Sequence, residues 1–183
     1  KTKLFCSCDN EESTTPNENI CAVCTGQMGT LPELNKAAVE KSVILGAGFN
    51  SEINKLVSWD RKHYQYPDLP KNFQLTQLDY PVIVGGEVKC FREDKTSFIV
   101  KLERGHLEED AGKLVHTDKY SLVDYNRCGT PLVEVVTTPC IHRIEDAEVY
   151  AKYIQKIARH LGVSDANMEK GQLRSDISIS LRK

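Results

Sequence analysis

Residues 131–136 read Pro-Leu-Val-Glu-Val-Val, an apolar run with one carboxylate at Glu134. Its β-branched side chains predict a strand, because such residues pack well on a pleated surface. A carboxylate buried in a strand is costly unless it is paired or binds a cation. In a strand at the edge of a sheet, the same side chain would face water and need no partner. The sequence leaves both alternatives open, and the first makes Glu134 a candidate ligand.

Strands and helices flank this run in irregular order. Residues 97–102 predict a second strand, and residues 81–91 predict a β-hairpin that turns at Gly85-Gly86. Residues 145–161 carry apolar side chains at helical spacing. Because the sequence shows neither strict strand–helix alternation nor a glycine-rich nucleotide loop, we predict an α+β fold on a mainly antiparallel sheet.

Two further elements are predicted nearer the ends of the sequence. The motif Thr-Leu-Pro-Glu from Thr30 fits a capping box and predicts a helix that starts there, with Gly46 and Gly48 able to end it. Residues 173–181 alternate in polarity like a half-buried strand. We expect residues 1–183 to form one domain that is truncated at both ends.

The composition is that of an ordinary globular chain. Of its 183 residues, 40% are hydrophobic and 27% are charged, and the formal net charge is -2. A charge so close to neutral provides no general attraction for nucleic acid, so any RNA partner must meet local patches. No apolar run approaches the length of a membrane span, so we expect no membrane partner.

Four of the seven cysteines form two close pairs joined by a polar loop. Cys6 pairs with Cys8, and Cys21 pairs with Cys24. Zinc in structural sites prefers four protein ligands in a tetrahedron, and a loop without a core gains stability from such a cross-link. We therefore predict a structural zinc site in residues 4–28, with four unrelated thiols as the alternative.

A second concentration of potential ligands occurs at residues 106–110, His-Leu-Glu-Glu-Asp. In an extended chain His106, Glu108 and Asp110 point to one face, and Glu109 points to the other. Neighbouring carboxylates repel each other unless a cation lies between them. Oxygen ligands of this kind suit Mg²⁺, which binds one or two carboxylates together with substrate phosphates. A solvated acidic turn is the alternative.

Basic side chains near these carboxylates are candidates for binding phosphate. Arg127 precedes the strand of Glu134 closely enough to reach the same cleft. In the strand predicted near the end, Arg174, Asp176 and Arg182 fall on the polar face. Arg174 and Asp176 either line the cleft or simply pair with each other. Together these groups predict a metal-and-phosphate site, whose chemistry depends on positioning and charge neutralisation.

Six motifs, taken in order along the chain, resemble those of the B subunit of tRNA-dependent glutamyl/aspartyl amidotransferases. They are Lys3-Leu-Phe-Cys-Ser-Cys8, Asp60-Arg-Lys-His-Tyr-Gln-Tyr-Pro-Asp-Leu-Pro-Lys71, His106-Leu-Glu-Glu-Asp-Ala-Gly-Lys113, Ser121-Leu-Val-Asp-Tyr-Asn-Arg127, Gly129-Thr-Pro-Leu-Val-Glu134 and Gly162-Val-Ser-Asp165. Because several of these motifs are long and they run from end to end, the resemblance is specific.

The resemblance implies a glutamine-synthetase-like cradle that uses ATP and Mg²⁺. In that family the B subunit phosphorylates the side-chain carboxylate of Glu on tRNA(Gln) or of Asp on tRNA(Asn). An amidase (A) subunit releases ammonia from glutamine to complete this carbon–nitrogen ligation, and a small C subunit ties the complex together. The expected partners are these two subunits and the misacylated tRNA, in the cytoplasm or alternatively in a mitochondrion or plastid.

The same resemblance implies roles for individual residues. Glu108 and Glu134 match the Mg²⁺-binding carboxylates, and Arg127 and Lys113 join them in the expected catalytic set. The groups expected to bind the cofactor are His106, Asn126, Arg174 and Asp176. The four cysteines match a zinc site found in some members of the family.

The resemblance also implies that this stretch is only part of a working subunit. The family's first metal-binding strand and its tRNA-binding C-terminal domain have no counterpart in residues 1–183. We therefore expect the fragment to be inactive on its own. The alternative is a non-catalytic module, cross-linked by zinc, that binds tRNA or a protein partner.

Overall fold

The computed structural model describes residues 2–181, in which two helices and nine strands are found. In chain order they are α1 (Lys36–Gly48), β1 (Glu52–Ile53), β2 (Asp60–His63), β3 (Phe73–Thr76), β4 (Ile83–Val84), β5 (Glu87–Phe91), β6 (Ser97–Glu109), β7 (Lys113–His116), β8 (Ser121–Asp124), β9 (Pro131–Thr137) and α2 (Ile144–His160). Every strand pair in this part of the chain is antiparallel, which confirms the α+β class. Neither of the two helices has the length and hydropathy needed to cross a membrane.

The centre of the five-stranded sheet is β6. On one side it pairs with β4 and β5, and β1 continues the sheet beyond β4. On the other side it pairs with β9, in a register that sets His106 opposite Glu134. β6 extends well beyond the predicted residues 97–102, and β9 confirms the strand predicted at residues 131–136. The hairpins β2–β3 and β7–β8 lie outside this sheet.

The prediction of a hairpin that turns at Gly85-Gly86 is wrong. β4 and β5 lie end to end along one side of β6 and do not pair with each other. The two glycines join them with φ angles of +60° and +106°, which residues with side chains rarely adopt. Gly86 also approaches Ser51 so closely that an added Cβ would lie 2.1 Å from the hydroxyl oxygen. The two glycines therefore form an irregular link between β4 and β5, which pair with β6 one after the other.

The chain reverses between β5 and β6 at residues 92–96 instead. The Arg92 N–H donates to the Thr96 carbonyl at 2.9 Å, and Lys95 has a φ angle of +66°. The Asp94 carboxylate accepts from the backbone N–H and the hydroxyl of Thr96, at 2.9 and 2.6 Å. This polar turn, closed by an Asp side chain, is the true hairpin loop.

The last residues of β6 have no strand on one side, and side chains take its place. The Leu107 carbonyl accepts from the Trp59 indole, and the Leu107 N–H donates to the Gln77 side chain, both at 2.9 Å. The Gln74 amide donates to the Glu109 carbonyl at 2.7 Å. These groups satisfy backbone atoms that would otherwise be buried without partners. The β2–β3 hairpin and its flanks, in which the sequence shows no clear period, thereby support this end of the strand.

The N-cap of α1 is Asn35, not Thr30 as predicted. The Asn35 side-chain oxygen accepts from the N–H groups of Ala37 and Ala38, at 3.0 and 3.3 Å. The Asn35 N–H donates to the Leu4 carbonyl at 2.8 Å, which holds the preceding residues extended against the N-terminal segment. This long-range contact overrides the local capping pattern, so the helix starts more than one turn later than predicted.

Two apolar clusters form the core. The first joins the N-terminal segment to α1 and the sheet, and its buried members are Leu4, Phe5, Ala38, Val82, Ile83 and Leu107. The second lies among α1, α2 and the sheet, and its buried members are Leu45, Phe49, Val88, Cys90 and Leu102. α2 confirms the helix predicted at residues 145–161 to within one residue. Burying each of the larger side chains contributes about 1.5–3 kcal/mol.

Residues 173–181 form no strand, so the strand predicted there is wrong. The alternating pattern is present, but no described strand pairs with this segment, and an isolated strand leaves its backbone groups without partners. Ile177, Ile179 and Leu181 are consequently exposed. Arg182, predicted on the polar face of this strand, lies outside the described residues.

Candidate functional site

Three potential ligands meet where β6 and β9 pair. His106 and Glu108 project from one face of β6, and Glu134 lies opposite His106 on β9. The His106 Nε2 atom is 3.2 Å from a carboxylate oxygen of Glu134 and 3.3 Å from one of Glu108. The three ligand atoms all lie within 4.8 Å of one another. Strand register thus assembles these residues, which we call the carboxylate cluster.

Glu134 is less buried than its apolar neighbours in the sequence suggest. Its side chain is 52% exposed, whereas those of His106 and Glu108 are 9% and 5% exposed. β9 pairs with β6 alone among the described strands, so it is an edge strand. The argument that burial forces Glu134 to bind a cation is therefore wrong. Its proximity to the other two residues makes it a candidate ligand instead.

The Glu108 carboxylate is held in its charged form by two neighbours. Burial raises the pKa of this carboxyl, but hydrogen bonds from His106 and Thr76 outweigh burial and bring the pKa below its usual value. The Thr76 hydroxyl, at the end of β3, donates to Oε2 of Glu108 at 2.7 Å. A buried carboxylate that stays ionised can bind a cation without first losing a proton.

The chemistry of this donor set fits a hard divalent cation. Mg²⁺ is commonly bound through one or two carboxylates, with water and substrate phosphates as its other ligands. Glu108 offers a buried carboxylate, and Glu134 offers one that reaches solvent. The His106 Nδ1 atom is buried and has no hydrogen-bond partner within residues 2–181. The orientation of the ring therefore rests on the contacts of Nε2 with the two carboxylates.

Asp110 follows β6 directly and contacts two arginines. The Arg174 guanidinium is 2.8 Å from one of its carboxylate oxygens, and that of Arg127 is 3.3 Å from the other. Arg127 also donates to the carbonyls of Ala111 and Gly112, at 3.1 and 3.0 Å. The two arginine side chains are still 47% and 37% exposed, so they retain N–H donors for an anion.

Glu109 faces away from the carboxylate cluster, as its place in the strand predicts. Its carboxylate pairs with the Lys71 ammonium, and the two side chains are only 3% and 9% exposed. The Leu75 N–H donates to the same carboxylate at 3.0 Å. This buried ion pair joins the β2–β3 hairpin to β6 on the face opposite the cluster.

Lys113 and Asp176, both predicted for the site, make no contact with it. Lys113 is the exposed first residue of β7, and its side chain forms no hydrogen bond or ion pair within residues 2–181. Asp176 is exposed in the irregular segment and forms no ion pair in the same part of the chain. The alternative that Arg174 pairs with Asp176 is wrong, because Arg174 pairs with Asp110.

Asn126 holds the loop between the two cysteine pairs. Its side-chain oxygen accepts from the Asn19 N–H at 2.8 Å, and its amide nitrogen donates to the Thr15 carbonyl at 2.7 Å. Both ends of the amide are therefore engaged within the protein. The predicted contact of Asn126 with a cofactor stays a prediction.

Two residues that support the site could not be recognised in the sequence, Thr76 and Lys71. Thr76 orients the Glu108 carboxylate, and Lys71 neutralises the charge of Glu109, the next residue in β6. Lys71 belongs to a motif of the resembled family, but its partner follows only from the fold. Residues 60–76 lack a clear period, so nothing in the sequence indicates that the β2–β3 hairpin packs against β6.

The four cysteines of the N-terminal segment also meet at one point. Their sulfur atoms lie within 4.8 Å of one another, and we call them the cysteine cluster. Cys24 is buried, and the Cys21 N–H donates to its sulfur at 3.2 Å. Four sulfurs this close fit the tetrahedral coordination of a structural zinc. The two pairs do meet, and the zinc ion itself stays a prediction.

The surroundings of Cys24 favour its thiolate. The Cys6 thiol donates a hydrogen bond to Cys24 and lowers its pKa against the opposing effect of burial, and the Cys21 N–H and Lys3 ammonium lower it further. The pKa of Cys6 is raised by the same hydrogen bond. Burial raises the pKa of Cys8 to about 11.

Comparison with known proteins indicates one family. The model of the GatB/GatE catalytic domain matches residues 1–183. Three of the curated relatives are each named as the B subunit of an aspartyl/glutamyl-tRNA(Asn/Gln) amidotransferase. The Ruminiclostridium cellulolyticum protein is 48% identical over 100% of this chain, that of Persephonella marina 48% over 99%, and that of Helicobacter pylori strain J99 45% over 100%. The chain spans 38% of the length of each of these relatives.

Proposed function

Because the chain belongs to the GatB/GatE catalytic-domain family, we propose that it forms most of the catalytic cradle in the B subunit of a tRNA-dependent amidotransferase. Identity of 48% to proteins of that name, over the whole chain, supports this assignment. The chain spans 38% of their length, so the activity belongs to the complete subunit within its complex. The sheet around β6 and β9 is the part that we assign to a glutamine-synthetase-like cradle.

The proposed reaction has two steps. An oxygen of the side-chain carboxylate of Glu on tRNA(Gln), or of Asp on tRNA(Asn), attacks the γ-phosphorus of ATP, and ADP leaves. Ammonia, released from glutamine by the partner amidase (A) subunit, then attacks the activated carbonyl carbon, and phosphate leaves. The small C subunit holds the complex together. This chemistry asks the protein to position anions and to neutralise their charge.

The observation that carries the proposal is the convergence of His106, Glu108 and Glu134 across two strands. Glu108 and Glu134 would hold Mg²⁺, which neutralises charge on phosphate oxygens when it is bound. Thr76 keeps the Glu108 carboxylate oriented and lowers its affinity for protons. His106 contacts both carboxylates through one nitrogen and so bridges the two strands.

The two arginines that contact Asp110, which follows β6 directly, are suited to hold the transferred phosphate. Arg127 and Arg174 are fixed by Asp110 on one side and keep donors exposed on the other. Since guanidinium groups bind phosphate oxygens with two parallel hydrogen bonds, a phosphate between them would be oriented as well as neutralised. We assign no direct step to Lys113, Asn126 or Asp176.

The cysteine cluster has a different role in the proposal. Four protein sulfurs leave a zinc ion no open position for a substrate, so the zinc would be structural. It would cross-link the loop-rich segment of residues 4–28, which contains no regular strand or helix.

The test uses the complete three-subunit complex carrying Glu134→Gln. We expect ATP-dependent amidation of the misacylated tRNA to fall by on the order of 10²–10³-fold, because charge stabilisation is lost. Glutamine hydrolysis by the amidase partner should persist. Glu103→Gln is the matched control, because its side chain lies on β6 and is also 52% exposed. Normal amidation by the Glu134→Gln complex would overturn the assignment.

Magnesium-dependent ATP binding to the full-length protein separates this function from the alternative. A catalytic cradle binds ATP in the presence of Mg²⁺ and loses that binding when Glu108 and Glu134 are both replaced by Gln. Binding of tRNA without any binding of ATP would favour the non-catalytic module.

A further inference from the structure

Lys3 is the largest fully buried side chain in the described part of the chain. Its exposure is 0%, an unusual place for an ammonium group, because burying an unpaired charge is costly. Its Nζ atom lies 3.6 Å from the Cys24 sulfur and 3.3 Å from the Tyr125 carbonyl oxygen. Within residues 2–181, Lys3 forms no ion pair with a carboxylate.

A second buried lysine shows what is missing at Lys3. Lys71 is 9% exposed, and its charge is matched by the Glu109 carboxylate. Among the described residues, the Lys3 ammonium has only a carbonyl oxygen and a sulfur within hydrogen-bonding distance. The nearest source of negative charge for it is therefore the cysteine cluster.

We propose that Lys3 is a positioning residue for the cysteine cluster, whose ammonium offsets the charge of a zinc–thiolate centre and ties Cys24 to the segment of residues 123–130. Four thiolates around one Zn²⁺ carry two net negative charges, which a buried ammonium would partly cancel. This inference rests on the zinc site of the proposed function and adds the residue that stabilises it.

The segment of residues 123–130 packs on the cysteine loop along its length. The Leu4 N–H donates to the Gly129 carbonyl at 2.8 Å, and the Asn17 amide donates to the Val123 carbonyl at 3.1 Å. Gly129 has a φ angle of +86°, and a Cβ there would lie 3.4 Å from the Lys3 stem. The same segment carries Arg127, which contacts Asp110. A change in the order of the cysteine cluster would therefore also affect the position of Arg127.

The test measures the rate at which zinc leaves the full-length protein in its complex. Zinc transfer to a chromogenic chelator is followed for wild type, Lys3→Met and Lys3→Arg. Lys3→Met keeps the apolar stem and removes the charge, so we expect zinc release to be faster by about 10–100-fold, the size of the affinity loss for other groups that contact metal ligands. Lys3→Arg keeps the charge and should release zinc at a rate close to that of wild type. Should Lys3→Met fail to fold, Lys3→Gln keeps a donor without the charge and is expected to release zinc faster too.

Lys71→Met is the matched control, since it removes a buried lysine whose ammonium bonds the Glu109 carboxylate and, within residues 2–181, forms no hydrogen bond to a sulfur. It should lower stability and leave zinc release at the wild-type rate. Hydrogen exchange gives a second measurement: the Cys128 and Gly129 amides, which donate to the Tyr125 and Asp110 carbonyls, should exchange faster in Lys3→Met.

The possible failures can be told apart. Zinc release from Lys3→Met at the wild-type rate would overturn the role of Lys3 and leave the zinc site standing. A wild-type protein that contains no zinc after chelator-free purification would overturn the zinc site, and this inference with it. Neither result bears on the carboxylate cluster, which amidation assays test separately.

Discussion

The cysteine cluster and the carboxylate cluster are built in opposite ways. The four cysteines lie between Cys6 and Cys24, in a segment without helices or strands, and their sulfurs lie within 4.8 Å of one another. The carboxylate cluster joins His106 and Glu134, 28 residues apart, through the pairing of β6 with β9. One site comes from local chain geometry and the other from the register of a sheet.

This difference determines what each site depends on. A slip of one residue between β6 and β9 would turn Glu134 to the other face of the sheet, so the carboxylate cluster exists only in the correctly folded domain. We expect the cysteine cluster to depend instead on the proposed zinc ion, because its segment contributes little regular structure. Substitutions in the carboxylate cluster should therefore mainly lower the amidation rate. Substitutions in the cysteine cluster should mainly disorder the N-terminal segment.

The largest effect is expected for Cys24→Ser. Removing the buried ligand should reduce zinc from about one ion per chain to almost none. Because structural zinc sites in small domains contribute on the order of 10 kcal/mol, the loop and the segment of residues 123–130 should lose order. Metal analysis and limited proteolysis test this expectation. Cys140→Ser is the control, because Cys140 is outside the cluster, and equal zinc content in both variants would contradict a zinc site at Cys24.

The next largest effect is expected for Lys71→Met, on the face of β6 opposite the carboxylate cluster. It leaves the Glu109 carboxylate buried without its partner, which costs about 3–5 kcal/mol in the free energy of unfolding. The double substitution Lys71→Met with Glu109→Gln should recover part of this loss. Urea unfolding measures both. Lys152→Met is the control, because it removes an exposed pair with Glu148 and should change stability by less than about 1 kcal/mol. Equal losses for the two lysines would contradict the interpretation of a buried pair.

The fold could be predicted where a pattern is local, and not where it depends on a neighbour. The strand at residues 131–136 and the helix at 145–161 carry their own signals and are present. The helix start at Thr30 fails because the N-terminal segment holds the residues before Asn35 extended. The strand at residues 173–181 has the right period but no strand to pair with in the described chain.

The two clusters also differ in how far they can be predicted from the sequence. Cysteine spacing alone predicts that Cys6, Cys8, Cys21 and Cys24 meet. For the carboxylates, the alternation of a strand places His106 and Glu108 on one face, but nothing local indicates that Glu134 lies opposite them. Thr76 lies 32 residues from Glu108, Arg127 lies in the loop before β9, and Arg174 lies in an irregular segment. No sequence pattern therefore identifies their partners.

Glu108→Gln should separate chemistry from stability. The amide keeps an acceptor for the Thr76 hydroxyl but loses the charge that the folded protein favours, so stability should fall only modestly, by at most about 1.5–3 kcal/mol. Amidation by the complete complex should fall by on the order of 10²–10³-fold, because one group that neutralises charge is lost. Thermal unfolding and the tRNA amidation assay test the two halves. A large fall in melting temperature with normal amidation would show that Glu108 serves the fold, and Glu103→Gln should change neither.

The smallest effect is expected for Thr76→Val, which removes the hydroxyl that donates to Glu108 and keeps the shape of the side chain. A hydrogen bond to a charged group contributes about 1.5–3 kcal/mol, so stability at neutral pH should fall by that amount. Thr76→Ser keeps the hydroxyl and should lose much less. Urea unfolding at several pH values measures both variants.

The pH dependence of this loss identifies its cause. The folded pKa of Glu108 lies below its usual value, so its contribution to stability is present above the unfolded pKa and disappears as the pH falls through the folded pKa. Thr76→Val should raise the folded pKa, because it removes one of the two hydrogen bonds that lower it. The difference in stability between the variant and wild type should therefore be largest near pH 7 and shrink in acid, where Glu108 is protonated in both proteins. A loss of the same size at every pH would mean that Thr76 only packs against β6, and the carboxylate cluster would then be positioned by strand register alone.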